Sequence, residues 1–488
     1  MKLDRASGVL LHPTSLPSPY GIGEMGTEAR EFIDFLKKGD FKLWQILPLN
    51  PAGYGESPYQ SFSAFAGNPL LISLERLRKD GLLSRKDLAG APLFPEDKVD
   101  FSACREFKTR MFRQAFAKFG VKGIKSTAFQ EFKEKNVFWL ADYALFMALK
   151  ERFQNLPWNC WDQPIARRDA PTLKFWEGKL VEDVHYHIFL QYLFSRQWSD
   201  LRKYASKKGI RIIGDLPLYV SYDSSDAWVH SNLFALDESG NPLKVGGVPP
   251  DYFSPTGQLW GNPLYRWEEM EKDDYLWWRQ RIKVLLELVD VIRFDHFRGF
   301  EAYWEVSAAE NTAVNGRWVK GPGEKFFATL AQYLGEVPLM AEDLGYITPE
   351  VIALKNKFDF PGMKVLQFLD REPWPALLND EGNWVYYTGT HDNDTLLGWY
   401  DQVVLSQLSP ESREKWLASI CWDFLEVIYQ SPAKWTIIPL QDLLCLDTSA
   451  RMNVPGTVGD NWRWRFKKDA LTRKLAQKTA QLRKKYAR

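Results

Sequence analysis

Cysteine is scarce in this chain, with four residues among 488: Cys104, Cys160, Cys421 and Cys445. They are widely scattered and form no CxxC pair, so neither a zinc site nor a disulfide framework is expected. Net charge is nearly absent as well. The 63 basic and 62 acidic residues leave a formal charge of +1. Such a chain offers no global field for nucleic acid or an acidic membrane. It also lacks any uninterrupted apolar run of transmembrane length, so no membrane partner is expected. Charges in Met1-Lys2-Leu3-Asp4-Arg5 occupy the place where a secretory signal needs an apolar core. The expected setting is soluble and reducing: the cytoplasm, or the plastid stroma for a mature plant form. Internal repeats and low-complexity linkers are missing. The basic tail after Trp462 has no aromatic platform beside it and reads as a solvated terminal helix.

What is abundant is aromatic and β-branched. There are 21 Trp, 20 Tyr and 31 Phe. Most are expected in a core, with a minority lining a cleft. Eight apolar runs read as core strands, at residues 8–11, 43–49, 211–220, 289–296, 339–345, 363–368, 385–391 and 435–438. Pro439 is expected to stop the last. Helical periodicity lies between several of them, at 27–38, 184–208, 325–334 and 348–357. Alternating strands and helices mean a parallel sheet. Eight of them suggest an α/β fold closed as a (β/α)8 TIM barrel, one catalytic domain over residues 1–488. Two gaps are too long for simple crossovers. Residues 51–205 are expected to form an inserted, mainly helical subdomain after strand two. Residues 221–275 read as an inserted active-site loop subdomain after strand three. In 246–260, glycines permit movement while Tyr252, Phe253 and Trp260 are placed to cover a cleft.

Three of the strands run into carboxylates. They are Val291-Ile292-Arg293-Phe294-Asp295-His296, Met340-Ala341-Glu342-Asp343-Leu344-Gly345 and Tyr387-Thr388-Gly389-Thr390-His391-Asp392. A barrel gathers its catalytic groups at these C-terminal strand ends. Converging carboxylates suit cleavage of a glycosidic bond. Arg293 and Asp295 share a strand face, so the guanidinium is expected to depress the Asp295 pKa and keep it ionised. Set against this, an isolated pair of that kind is more often structural. Glu342 needs a raised pKa to act as general acid; its bland reading is a helix-capping or loop carboxylate, a role that Asp343 next door could fill. Asp392 lies in turn-prone Asp392-Asn393-Asp394, whose bland reading is an Asx-turn. Gly21-Ile22-Gly23-Glu24-Met25-Gly26 matches GxGxxG, but prolines separate it from its strand, so nucleotide binding is not expected.

These residues resemble the 4-α-glucanotransferases, the amylomaltase or disproportionating-enzyme family (glycoside hydrolase family 77) of the α-amylase clan. The resemblance is carried by Leu11-His12-Pro13-Thr14-Ser15-Leu16-Pro17, Ser57-Pro58-Tyr59-Gln60, Gly214-Asp215-Leu216-Pro217 and Gly247-Val248-Pro249-Pro250-Asp251. It continues through Arg293-x-Asp295-His296-Phe297-Arg298-Gly299, Ala341-Glu342-Asp343-Leu344-Gly345, Gly389-Thr390-His391-Asp392-Asn393 and Asn461-Trp462-x-Trp464-Arg465. It implies Asp295 as nucleophile, Glu342 as general acid/base and Asp392 as transition-state stabiliser. It implies glucan contacts from Tyr59, Asp215, Asp251, Gln258, Trp260, Arg293, His296, His391 and Asn461. The implied partners are maltooligosaccharides, starch- or glycogen-derived α-glucans, and glucose as acceptor. No metal and no organic cofactor is expected. Amylases usually carry His five positions after the third-strand Asp; Val220 stands there, which favours transferase over amylase. A hydrolase of the same clan, or an inactive glucan-binding barrel, remains the alternative reading.

Overall fold

The computed structural model describes residues 4–250, 254–368, 382–403 and 419–488. Twelve strands are formed in this part of the chain: β1 (Ala6–Leu10), β2 (Leu43–Gln45), β3 (Arg211–Leu216), β4 (Lys244–Val248), β5 (Gln258–Pro263), β6 (Val291–Phe294), β7 (Ala302–Ser307), β8 (Arg317–Lys320), β9 (Leu339–Ala341), β10 (Gly362–Val365), β11 (Trp384–Tyr387) and β12 (Trp435–Pro439). Eight of them make one sheet in the order β10-β11-β12-β1-β2-β3-β6-β9, and every pairing is parallel. Between the two ends of that order, the Ala341 N–H donates to the Pro361 carbonyl at 2.8 Å, so the sheet comes close to closing into a (β/α)8 barrel.

All eight predicted runs overlap these strands. Several predicted spans are longer because burial continues past the hydrogen-bonded ladder: Ile46 and Leu47 are buried just beyond β2. Pro439 is the last residue of β12, opposite Leu10, and not the first beyond it. A proline is tolerated there because the ladder ends and needs no further donor.

The long helix Val181–Lys207 leads from the first insertion into β3, and Trp198 on it is fully buried. Before it come the helices Phe101–Ile124 and Leu140–Arg152. Their attachment includes a buried ion pair. Lys108 donates to Glu24 and to the Ile72 carbonyl (2.8 Å), with both charged side chains almost fully buried.

Segment 221–275 is not only loop. Its strands β4 and β5 join β7 and β8 in a four-stranded antiparallel sheet, ordered β5-β4-β7-β8. Sequence reading missed this sheet because its two halves lie on either side of barrel strand β6. Gly246 and Gly247 are strand residues, not hinges. A Cβ on Gly247 would come within 2.4 Å of the Gln258 carbonyl oxygen, so the glycine permits close strand approach.

One expectation about cysteine is overturned. Cys421, in the helix Ile420–Gln430, is disulfide-bonded to Cys445, with their Cα atoms 5.7 Å apart. The two are 24 residues apart, and only folding brings them together. Cys104 and Cys160 are free. No helix among the described residues is long and apolar enough to cross a membrane.

Candidate active site

The C-terminal ends of β3, β6, β9 and β11 bring the expected carboxylates to one mouth. Arg293 is their hub. Its Nη1 donates to both Asp215 carboxylate oxygens at 2.7 and 2.8 Å, and to Asp295 Oδ1 at 2.9 Å. Asp215 and Arg293 pair across β3 and β6 in register, which is why their heads meet. The Asp215 side chain is wholly buried, whereas 28% of the Asp295 side chain is exposed. Tyr59, from the loop after β2, donates its hydroxyl to Asp215 Oδ2 at 2.7 Å. The arginine and tyrosine are thus spent on fixing Asp215, and Asp295 keeps an oxygen free of them at the open edge.

Glu342 follows β9 and sits in a cradle of backbone. Its two oxygens accept from the His296 N–H at 2.7 Å and the Leu344 N–H at 3.0 Å. His296 adopts left-handed backbone geometry, φ 54°. That turn at the end of β6 is uncommon for a non-glycine residue. It is held here where the His296 N–H meets the Glu342 carboxylate. Asp343 is structural, as expected. It is nearly buried, accepts the Met363 N–H at 2.7 Å and pairs with Lys355 at 2.6 Å.

Asp392 is positioned by residues that the sequence did not reveal. Asn453 Nδ2 donates to Asp392 Oδ1 at 2.6 Å, and Arg451 Nη2 donates to the Asp392 carbonyl at 2.7 Å. The Arg451 Nε also bonds the Asn453 carbonyl, so the two form one clamp. Neither ends an apolar run, and no spacing rule marks them. The turn itself is tied by Asn393, whose Oδ1 accepts from the Thr390 N–H and hydroxyl, three residues back, at 2.8 Å. His391 stacks on Tyr59, with centroids 5.1 Å apart, and its Nε2 lies 3.3 Å from Asp392. Trp260 on β5 meets His296 edge-on at 4.8 Å and donates to Gln258 at 3.2 Å. Asn461 turns inward: its amide bonds Val454 and Thr457, bracing their loop. Asp251 lies outside the described residues, with Tyr252 and Phe253.

The electrostatics differ from expectation at one residue. Asp295 is pushed up to about 8, not depressed. Burial acts first; Arg293 opposes it, but Asp215, Glu342 and Asp392 add negative charge on the other side. Glu342 is also raised, chiefly by burial. Both carboxyls therefore hold their protons to higher pH than a free carboxyl does. Burial lowers His296 to about 3 and also lowers His391, which disfavours the charged form of both imidazoles.

An ionisable carboxyl pair within a wall of Tyr, Trp and His is suited to acid/base chemistry on a neutral polyhydroxyl substrate. Comparison with known proteins agrees with that chemistry. The 4-alpha-glucanotransferase family pattern matches residues 11–472. A 4-alpha-glucanotransferase of Thermus thermophilus is 48% identical over 483 residues, covering 96% of this chain and 95% of its own length. One from Synechocystis is 47% identical over 480 residues, covering 96% and 95%. Among solved structures, an amylomaltase from Streptococcus agalactiae in complex with acarbose superposes with a TM-score of 0.91 at 38% identity, covering 99% of each chain. With the family match spanning all the carboxylates just described, the chain belongs to the 4-alpha-glucanotransferase family and has that family's transferase activity on α-glucans.

Proposed function

We propose that transfer proceeds by double displacement with retention, using Asp295 as nucleophile, Glu342 as acid/base and Asp392 as transition-state stabiliser. The observation that carries this reading is the Arg293 hub, which holds Asp295 at 2.9 Å on the open side of a buried Asp215. Asp295 attacks the anomeric carbon of an α-1,4-glucan while Glu342 protonates the departing oxygen. The glycosidic bond breaks, and an ester bond to Asp295 forms. Glu342, now ionised, takes the proton from the 4-OH of a second glucan. That oxygen displaces Asp295 and restores the α-linkage. Positive charge building at the anomeric carbon favours the ionised form of Asp295, and burial favours the protonated form of Glu342 that the first step needs. Retaining enzymes hold the two carboxyls roughly 5–5.5 Å apart.

Asp392, clamped by Asn453, faces the same ring with His391 and hydrogen-bonds its hydroxyls. Tyr59, Gln258 and Trp260 supply further contacts to the glucan, and Asp251 belongs to the same set. Maltooligosaccharides serve as donors, and glucose or another maltooligosaccharide as acceptor. The test is incubation with maltotriose. Glucose and a ladder of longer chains should appear with little rise in total reducing ends. A steady rise in reducing ends would identify water as the acceptor and a hydrolase instead.

A further inference from the structure

Two large aromatic side chains lie exposed beside each other just outside the carboxylate cage. Trp318 on β8 is 36% exposed and Tyr346, four residues after Glu342, is 67% exposed. Scattered exposed aromatics need no explanation. These two are assembled. Their rings lie 6.2 Å apart and within 20° of parallel. Arg298, itself buried, lies against Trp318 with its guanidinium carbon 3.7 Å from the ring centre, and donates to the Tyr346 carbonyl. Trp304 stands opposite Trp318 across the β7–β8 ladder and meets it edge-on at 5.1 Å. Trp304 is tied in turn to the Ala313 carbonyl at 2.8 Å. A buried cation and a braced tryptophan therefore hold two rings at the surface.

The position is what gives them meaning. Arg298 comes two residues after His296, whose N–H bonds Glu342, and Tyr346 follows the same carboxylate along the chain. The platform begins where the acid/base cradle ends. An acid/base group addresses the glycosidic oxygen. The sugars beyond that oxygen, leaving group in the first step and acceptor in the second, therefore sit on its side of the cleft. Flat rings with apolar faces and polar edges suit the C–H faces of a neutral glucan. We propose that Trp318 and Tyr346 form an acceptor platform, binding the sugars of an α-glucan chain that lie beyond the one offering its 4-OH. This rests on reading Glu342 as the acid/base. Holding the acceptor there raises its effective concentration against water at the glycosyl-enzyme.

The experiment uses α-maltotriosyl fluoride as donor, with glucose or maltotetraose as acceptor, and the variants Tyr346→Ala, Tyr346→Trp and Trp318→Ala/Tyr346→Ala. The first-turnover burst of fluoride, released before any acceptor reacts, should match the unaltered protein in every variant. The preference for maltotetraose over glucose should fall roughly tenfold in the alanine variants, the size of a lost stacking contact. Tyr346→Trp should keep the preference. A preference that survives both alanine variants overturns the platform. Glu342→Gln separates this from failure of the underlying reading. It should slow maltotriose turnover while sparing the first-turnover burst of fluoride, which needs no protonation. Equal loss on both donors would remove the acid/base assignment, and the platform with it.

Discussion

At the scale of single residues, Asp295 has two demands on it. The proposed nucleophilic attack needs it ionised beside Arg293, while its surroundings favour the proton. With its pKa raised from 3.8 to about 8, the native state binds this proton more tightly than the unfolded chain. The stability it contributes is present below about pH 4 and is lost as pH rises toward 8. Asp295→Asn does not titrate, so its melting temperature should exceed that of the unaltered protein increasingly from pH 4 to pH 8. Parallel melting curves across that range would show that the site is not strained by its charges. The acid has its own limit. Loss of the Glu342 proton leaves no acid, and burial raises that group, so the alkaline decline of kcat/KM should lie above the ordinary carboxyl range. Asn453 offers the second residue-scale test. Its 2.6 Å bond fixes one oxygen of Asp392. Asn453→Ala should lower kcat by about 100-fold, as small misplacements do, with KM for maltotriose changed far less. Unchanged kcat would mean that Asp392 needs no clamp.

At the scale of elements, the barrel strands were legible because burial on both faces writes continuous apolar runs, and a carboxylate breaks three of them where the mouth begins. Arg293 and Asp295 were legible through strand alternation alone. The antiparallel sheet was hidden because β4 and β5 pair with β7 and β8 across the whole of β6, and its Gly-rich strands read as loop. The sign of the Asp295 shift was hidden too, since Asp215, Glu342 and Asp392 come from other strands. The disulfide and the Arg451–Asn453 clamp depend likewise on contacts between distant segments. Two element-scale predictions follow from those contacts. Lys108→Met strands Glu24 in the interior and should cost roughly 3–5 kcal/mol in denaturant unfolding. Adding Glu24→Leu should recover most of that loss. Closing the loop between Cys421 and Cys445 stabilises the chain by about 3 kcal/mol through unfolded-state entropy. Cys421→Ser/Cys445→Ser should therefore melt at lower temperature, and reductant should have no further effect on it.

At the scale of the whole molecule, the barrel supplies convergence and the insertions supply walls. Four parallel strands aim Asp215, Asp295, Glu342 and Asp392 at one mouth, and the loop after β2 brings Tyr59 onto Asp215 and His391. The antiparallel sheet presents Trp260 against His296 on one strand and Trp318 beside Tyr346 on another. Together they wall the site at which we propose a neutral glucan chain is bound through hydroxyl contacts and ring faces. The central claim is the covalent step on Asp295, and the most direct test is to trap it. After reaction with a fluorinated glycosyl donor whose second step is slow, proteolysis and mass mapping should locate one glycosyl group per chain, esterified to Asp295. A label on Glu342 or Asp392, or no covalent label while the donor is still consumed, would contradict the account.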